Sequence, residues 1–537
     1  MKKLILVLIS LLPVLAFGQL KLSDDFATST GTPYKVVDAA DKQYFADGKG
    51  NSISIKTQDK KVTIQRYDVA SMKEINRHEY EDLPADSKVE KIIMSGGHLY
   101  YFYSTPTKNK TVTLNVREIS LADGTFQPTK VVLESKGDLA QITTAENPFG
   151  VKGYGGFWGP VKLFEVIEST DKSKLLIRYR RKPLQRSDDV NYDILGFYSF
   201  DTNLVKAWGD EFKMPYTEKV MNNLSYAISK DGILYMLAYI NDTKEFELLI
   251  INGAPKIQTI RLDIDNALYF QSIVMTEDLE GNLVCTGYYA NGIEFKVSWT
   301  GNMAMVVNIN GILRFKLNKK GLLLEKNKYD FPIALINEFE SASAKEKNTN
   351  READGKAGIA DLKIVTITTD ADGSTFILGE QTYSRSQSSG TSNTIVFYYA
   401  DMIATKIDKN GKLLWMVKLP KTQWGTRGRS GNGVKYIKGD GFHYFLFVDT
   451  KKNANITKDV APVAYVDGRD GFLTAYKVSD IDGKFERLNV LNLENVNGIE
   501  AFQFATSRIF DLSSKVFMIE IYMKGKEDTM IKIQLKK

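Results

Sequence analysis

Gly232-Ile-Leu-Tyr-Met-Leu-Ala-Tyr239 opens on a turn residue and then runs seven positions without a charge. Seven other stretches read the same way: Asn51–Lys56, Gly97–Ser104, Ser173–Arg180, Gly281–Tyr288, Gly373–Glu380, Gly441–Val448 and Ser514–Ile521. Each is too short and too β-prone for a helix, and repetition on this scale marks an array of like units. A second apolar strand precedes several of them across an acidic-glycine turn. Examples are Leu362–Thr369 ahead of Asp370-Ala-Asp372-Gly373, and Leu224–Ile228 ahead of Asp231-Gly232. Asp bonds its own backbone in such a turn, and Gly supplies the positive φ.

Third and fourth strands follow, joined by a second turn, as in Met402–Trp415 around Asp408 and Gly411. Four antiparallel strands make a propeller blade. The repeated strands lack polar alternation because neighbouring blades cover both of their faces. Successive repeats begin 46, 76, 59, 49, 92, 68 and 73 residues apart. A bare blade takes ~40–45 residues, so the remainder lies in loops. The chain therefore reads as all-β, an eight-bladed β-propeller of four-stranded blades occupying 19–537. After Ser514–Ile521 only Thr529–Leu535 remains, one strand too few. The mature N-terminus, Leu20–Phe26, is expected to close the last blade. The alternatives are seven blades plus an accessory hairpin, or two domains divided near 341–358.

Lys2 and Lys3, the apolar run Leu4–Leu15 and the small residues Ala16 and Gly18 have the form of a secretory signal peptide over residues 1–18. The run is shorter than the ~20 residues that span a bilayer, and no later segment reads as transmembrane. The chain is accordingly expected to be exported, periplasmic or secreted. Without Lys2 and Lys3, 69 Lys and Arg face 65 Asp and Glu, a net charge of +4 that argues against a nucleic-acid partner. Cys285 is the single cysteine and sits in an apolar strand, so no internal disulfide forms and the thiol reads as buried.

Ala404-x-x-x-Asp408-x-x-Gly411-x-x-x-Trp415 is similar to the tryptophan-docking repeat of quinoprotein-like propellers, in which Trp packs between adjacent blades. Asp201 and Trp208 repeat the spacing with Leu204 in place of Gly. The whole chain resembles the uncharacterised secreted propellers of Bacteroidetes, and more distantly WD40-like repeats. These resemblances imply a fold and supply no reaction.

In an up-and-down blade, first-to-second and third-to-fourth turns share one face of the ring. Second-to-third loops and blade-to-blade connections share the other. The acidic turns fall on the first face. The long segments 136–160, 331–360, 381–399, 421–434 and 450–463 fall on the second, with shorter insertions at 181–191 and 289–301. Long loops on a rigid scaffold are where binding residues concentrate. Residues 341–358, charged and nearly free of aromatics, read as a solvated tether.

Tyr154, Phe157 and Trp158 lie among glycines in 136–160 and suit stacking on a sugar or gripping a partner, or else fold down to plug the ring. Arg178, Arg180 and Arg181 leave a strand toward the same face and have the chemistry for carboxylate or phosphate, though a solvated strand end is the favoured explanation. Trp424 with Arg427 forms a second cationic, aromatic cluster. Three histidines in separate blades offer no metal pattern, and Asp370-x-Asp372-Gly lacks the further ligands of a calcium loop. The chain contains no nucleophile elbow or phosphate-cradling loop. The composite expectation is a non-catalytic propeller without a cofactor, binding an envelope protein or glycan through its long-loop face. The alternative is a propeller enzyme acting on glycans, or a quinoprotein-like dehydrogenase.

Overall fold

The computed structural model describes residues 22–536 apart from 143–161, 186, 266–267, 293, 298–302, 390–391, 427–430, 458–459 and 467–470. The expected signal peptide lies outside the described residues. Eight four-stranded antiparallel meanders form the ring. Blade one is Asp41–Ala46, Asn51–Gln58, Lys61–Asp68 and Glu74–Tyr80; blade two is Lys88–Ser95, His98–Pro106, Val112–Ile119 and Lys130–Glu134. Blade three is Phe164–Glu168, Lys174–Arg181, Tyr192–Asp201 and Lys206–Thr217; blade four is Met221–Ile228, Leu234–Ile240, Glu245–Ile251 and Gln258–Leu262. Blade five is Tyr269–Glu277, Leu283–Ala290, Gly311–Leu317 and Leu323–Asp330; blade six is Leu362–Thr369, Thr375–Ser389, Ser392–Ile407 and Leu413–Leu419. Blade seven is Lys435–Gly439, Phe442–Asp449, Phe472–Ser479 and Phe485–Asn492. Blade eight takes Ile509–Ser513, Val516–Met523 and Glu527–Leu535 from the C-terminal end and Phe26–Thr30 from the N-terminal end. Phe26 pairs with Leu535 and Thr30 with Ile531. The closing strand thus begins where Leu20–Phe26 was expected to end, because Phe26 is the first of the described residues with an apolar slot to fill, in the core between blades seven and eight.

First strands of neighbouring blades touch from blade two through blade six and again between blades eight and one, along the inner wall. Each seam between blades holds one apolar cluster. Leu237, Leu248, Leu283 and Phe315 fill the seam between blades four and five, with the fully buried Cys285 among them. Burial pushes that thiol well above its ordinary pKa, which leaves it inert. The smallest apolar cluster among the described residues is at the closure, between blades eight and one: Tyr34, Tyr67, Met72, Phe510, Met518 and Met530. A polar network supplements it. The Glu520 carboxylate accepts from Tyr34 Oη and Tyr44 Oη, both at 2.7 Å, from Lys42 Nζ at 2.8 Å and from Lys56 Nζ. Lys42 and Lys56 also reach Asp528, at 3.1 and 3.4 Å. Glu520, Lys56 and Asp528 are inaccessible to solvent. Burial alone raises a carboxyl pKa, but the two ammonium groups hold Glu520 well below the usual range.

A second device locks seams on the turn face. Trp208 Nε1 donates to Gly232 O of the next blade at 2.8 Å, and Trp415 Nε1 donates to Asp480 O at 2.9 Å. Tyr100, Tyr235 and Tyr329 make the same kind of bond to Thr202, Lys319 and Gly411. Trp docking between blades is therefore present at both expected positions. Gly483 shows the constraint: its φ is +68°, and a Cβ there would lie 2.8 Å from the Trp415 ring. Leu204, where the repeat pattern has Gly, takes the same left-handed turn at φ +61°. Asp370 and Asp480 close tight turns, as expected, and are also brought together. Lys406 Nζ reaches both, with His443 Nε2 2.6 Å from Asp480.

Two segments depart from their expected form. Residues 381–399 are not a loop: the second and third strands of blade six run on past the blade as a two-stranded arm, paired continuously from Thr382–Tyr399 to Ser389–Ser392. The sequence Tyr383-Ser-Arg-Ser-Gln-Ser-Ser alternates large and small side chains with the period of a strand. Residues 341–358 are not an unstructured tether, because α2 spans Ala342–Glu352 with Ser341 Oγ accepting from Ala344 N. Its Ala, Lys and Glu are strong helix formers, and an N-cap starts them. The shorter helix α1, Ile333–Asn337, packs beside it. No helix is long and apolar enough to cross a membrane among the described residues.

Candidate binding surface

The blade-six arm is built from a buried base outward. Lys421, 1 % exposed at its side chain, sits between Glu380 Oε1 at 2.8 Å, Tyr399 O at 3.0 Å and Gln423 Oε1 at 2.9 Å. Burial lowers the Lys421 pKa against the pull of Glu380, so the carboxylate is what keeps the ammonium tenable there. Gln423 in turn donates to Val448 O at 2.7 Å and accepts from Gly433 N at 2.9 Å. These bonds seat a short strand, Gln423–Gly425, against the arm, and Tyr465–Val466 adds to it in parallel. Lys418, equally buried, donates to Glu338 O at 2.8 Å and ties the end of α1 to the same blade.

This arrangement places one lateral row across four strands: Tyr383 opposite Tyr398, Tyr398 opposite Trp424, and Trp424 opposite Val466. Direct cross-strand partners share a face of the sheet, so the row is continuous. The two tyrosine rings stack with centroids 4.7 Å apart and planes 13° apart. Arg385 lies 4.9 Å from the Tyr383 ring and 5.7 Å from the Tyr398 ring, and Gln387 Nε2 donates to Tyr398 Oη at 3.1 Å. Tyr383, Tyr398 and Trp424 remain partly exposed, and Arg385 and Val466 are exposed.

Of the residues singled out from the sequence, Trp424 joins this row. Arg427, beside it in sequence, lies outside the described residues, as do Tyr154, Phe157 and Trp158. Arg178, Arg180 and Arg181 stand three blades away and are engaged internally. Arg178 pairs with Glu165 and stacks 4.1 Å over Tyr226. Arg180 bridges Asp193 at 2.5 Å and Glu218 at 2.6 Å, and Arg181 meets both oxygens of Glu211. An anion reaching them would have to displace those carboxylates. Tyr383, Arg385 and Tyr398 were missed because the segment read as a loop. Their alternation was the available signal.

Blades one, two, seven and eight leave a cavity of about 470 Å³ against their inner strands, lined by Lys42, Tyr44, Ile92, Lys435, Phe510 and Asp511 among others. Tyr44 and Phe510 stack at 5.1 Å, and Lys435 Nζ lies 3.2 Å from Asp511. Among the described residues of this lining, Asp511 is the carboxylate.

No protein-family model matches the chain, and no curated protein matches it. Among solved structures, the chain is similar to the WD40 domain of SCAP from fission yeast, with 8 % identity and a TM-score of 0.39 over 96 % of this chain and 99 % of that one. Prolyl oligopeptidase B from Galerina marginata gives 10 % identity and a TM-score of 0.34, covering 95 % of this chain and 55 % of that one. A putative 6-phosphogluconolactonase from Bacteroides uniformis gives 10 % and 0.33, over 79 % and 90 %. The protein is a β-propeller of eight blades.

Proposed function

We propose that the protein is exported and acts in the cell envelope as a non-catalytic binding propeller, taking a protein or glycan partner on its long-loop face. The observation that carries this reading is the row Tyr383–Tyr398–Trp424–Val466, aromatic and partly exposed, held on a buried ionic base at the root of the arm. Rigid aromatics with a polar tip contribute large contact area at small entropic cost, which is why they dominate binding surfaces. The signal-peptide pattern of residues 1–18 supports export. The test compares the protein with Tyr398→Ala/Trp424→Ala on arrayed envelope glycans and on fractionated envelope proteins. The expected result is binding that falls at least tenfold in the variant with its Tm unchanged. Binding that survives the double substitution refutes this site, and retention of the full-length protein in the cytoplasmic fraction refutes export.

A further inference from the structure

Among the described residues, one edge of the arm carries no partner strand. The first strand of blade six pairs with the second only as far as Gln381. Beyond that point Thr382–Ser389 is bonded on one side to its hairpin partner, and among the described residues no strand pairs with the other side. The orientation of its backbone follows from one bond: Thr382 N donates to Asp361 O at 3.0 Å, on the outer side. Register from Thr382 to Ser389 is regular, so the outward N–H and C=O groups belong to Ser384, Ser386 and Ser388. The edge carries no Pro and a single charge, so it lacks the usual defences against an added strand.

That charge is Arg385, exposed and with no carboxylate partner among the described residues, in contrast to the paired Arg178, Arg180 and Arg181. It shares a face with Tyr383, two positions earlier.

We propose that the edge Thr382–Ser389 receives an extended peptide segment of a partner protein as an added strand, with an apolar side chain opposite Tyr383 and an acidic one opposite Arg385. The proposal rests on the reading that the long-loop face binds a partner, and it names that partner's chemistry. Main-chain bonds to Ser384 and Ser386 supply affinity, and the two side-chain positions supply selection. The apolar residue lengthens the row of Tyr383, Tyr398, Trp424 and Val466 by one strand. The acid neutralises Arg385. A second copy of this edge is the poorer occupant, because its own Arg385 would lie opposite or near this one.

The experiment is selection of random heptapeptides displayed on phage against the purified protein, with glycan-array binding run in parallel. Enrichment of an aromatic or aliphatic residue two positions from Asp or Glu is expected. Synthetic versions of the selected peptides should lose at least tenfold in affinity on Ser386→Pro, which removes an outward N–H and spares the hairpin. Arg385→Glu should shift the selected acid to Lys or Arg. Should Ser386→Pro fail to fold, peptides N-methylated at alternate residues remove the same bonds from the ligand side, and an equal loss is expected. No enrichment, or binding indifferent to both Ser386→Pro and N-methylation, overturns strand addition. Glycan binding that depends on Trp424 without peptide enrichment also overturns it while leaving the long-loop face as the binding surface; absence of both kinds of binding removes both readings.

Discussion

Glu520→Gln at the ring closure isolates what a buried charge network contributes when the apolar seam is small. The substitution keeps one carbonyl oxygen, so either Tyr34 on Oε1 or Tyr44 on Oε2 loses its acceptor, and among the described residues it leaves Lys42 and Lys56 with Asp528 as their carboxylate. Lys56 is fully buried, so its charge has no water to fall back on. Removing one partner of such a pair costs ~3–5 kcal/mol. At ~2.1 cal/mol/K per residue over roughly 500 ordered residues, the unfolding entropy is about 1 kcal/mol/K, so Tm should fall by ~3–5 °C. Lys56→Met alone leaves the opposite imbalance. Lys56→Met/Glu520→Gln restores it, with Lys42 on Asp528, and should be more stable than the sum of the singles by ~2 kcal/mol. Calorimetry on the four proteins measures this, and hydrogen exchange should show the single-variant loss concentrated in Phe26–Thr30 and Val516–Met523. Strict additivity, or a Glu520→Gln shift below about 1 °C, would refute the argument that charge balance holds this seam.

Trp415→Ala empties the site under Gly483 and leaves Asp480 O without its donor, at a cost of ~3–5 kcal/mol, while Trp415→Phe should cost about half of that; denaturant titration distinguishes them. The cluster joining blades six and seven predicts acid sensitivity in two stages. Burial, against the pull of Asp480, holds His443 below its ordinary pKa, so the unfolded chain takes up that proton first and stability declines as pH falls below ~6.5. Asp370 and Asp480 resist burial through Lys406 and are also depressed, so a second decline sets in below ~4. Tm against pH should show both, with His443→Gln removing the first and Asp480→Asn blunting the second. Deleting Phe26–Thr30 leaves the Glu527–Leu535 edge open and should convert the protein to aggregating species in size-exclusion chromatography.

The blade pattern was legible because second strands are buried on both faces, which writes an uninterrupted apolar run such as Leu234–Ile240. Trp208 and Trp415 were recognisable through the similarity of their spacing to a docking repeat, and their partners are acidic turns that punctuate the chain. What stayed hidden depends on neighbours distant in sequence. Lys421 looks like an ordinary loop lysine until Glu380 and Gln423 enclose it, and Lys56 looks like a strand-end charge until Glu520 arrives from the last blade. The arginines at 178, 180 and 181 show the converse: sequence displays their charge, and only geometry supplies Glu165, Asp193, Glu218 and Glu211. The arm was missed for a different reason. Its serine-rich alternation is strand-like, but the surrounding polarity gave it the appearance of a loop.

Closure through Phe26–Thr30 sets an order of events during biosynthesis. Among the described residues, the first strand in chain order pairs with the last, Glu527–Leu535. Until then the early blades exist as an open arc with a raw edge at each end, and Lys56 waits without Glu520 beside a half-built seam. Contacts this distant in the chain are slow to form and leave partly folded species exposed to one another. Until that pairing forms, the side of blade one that packs against blade eight has no cover, so whatever shields Tyr67 and Met72 in the partly folded chain stands in for the last blade.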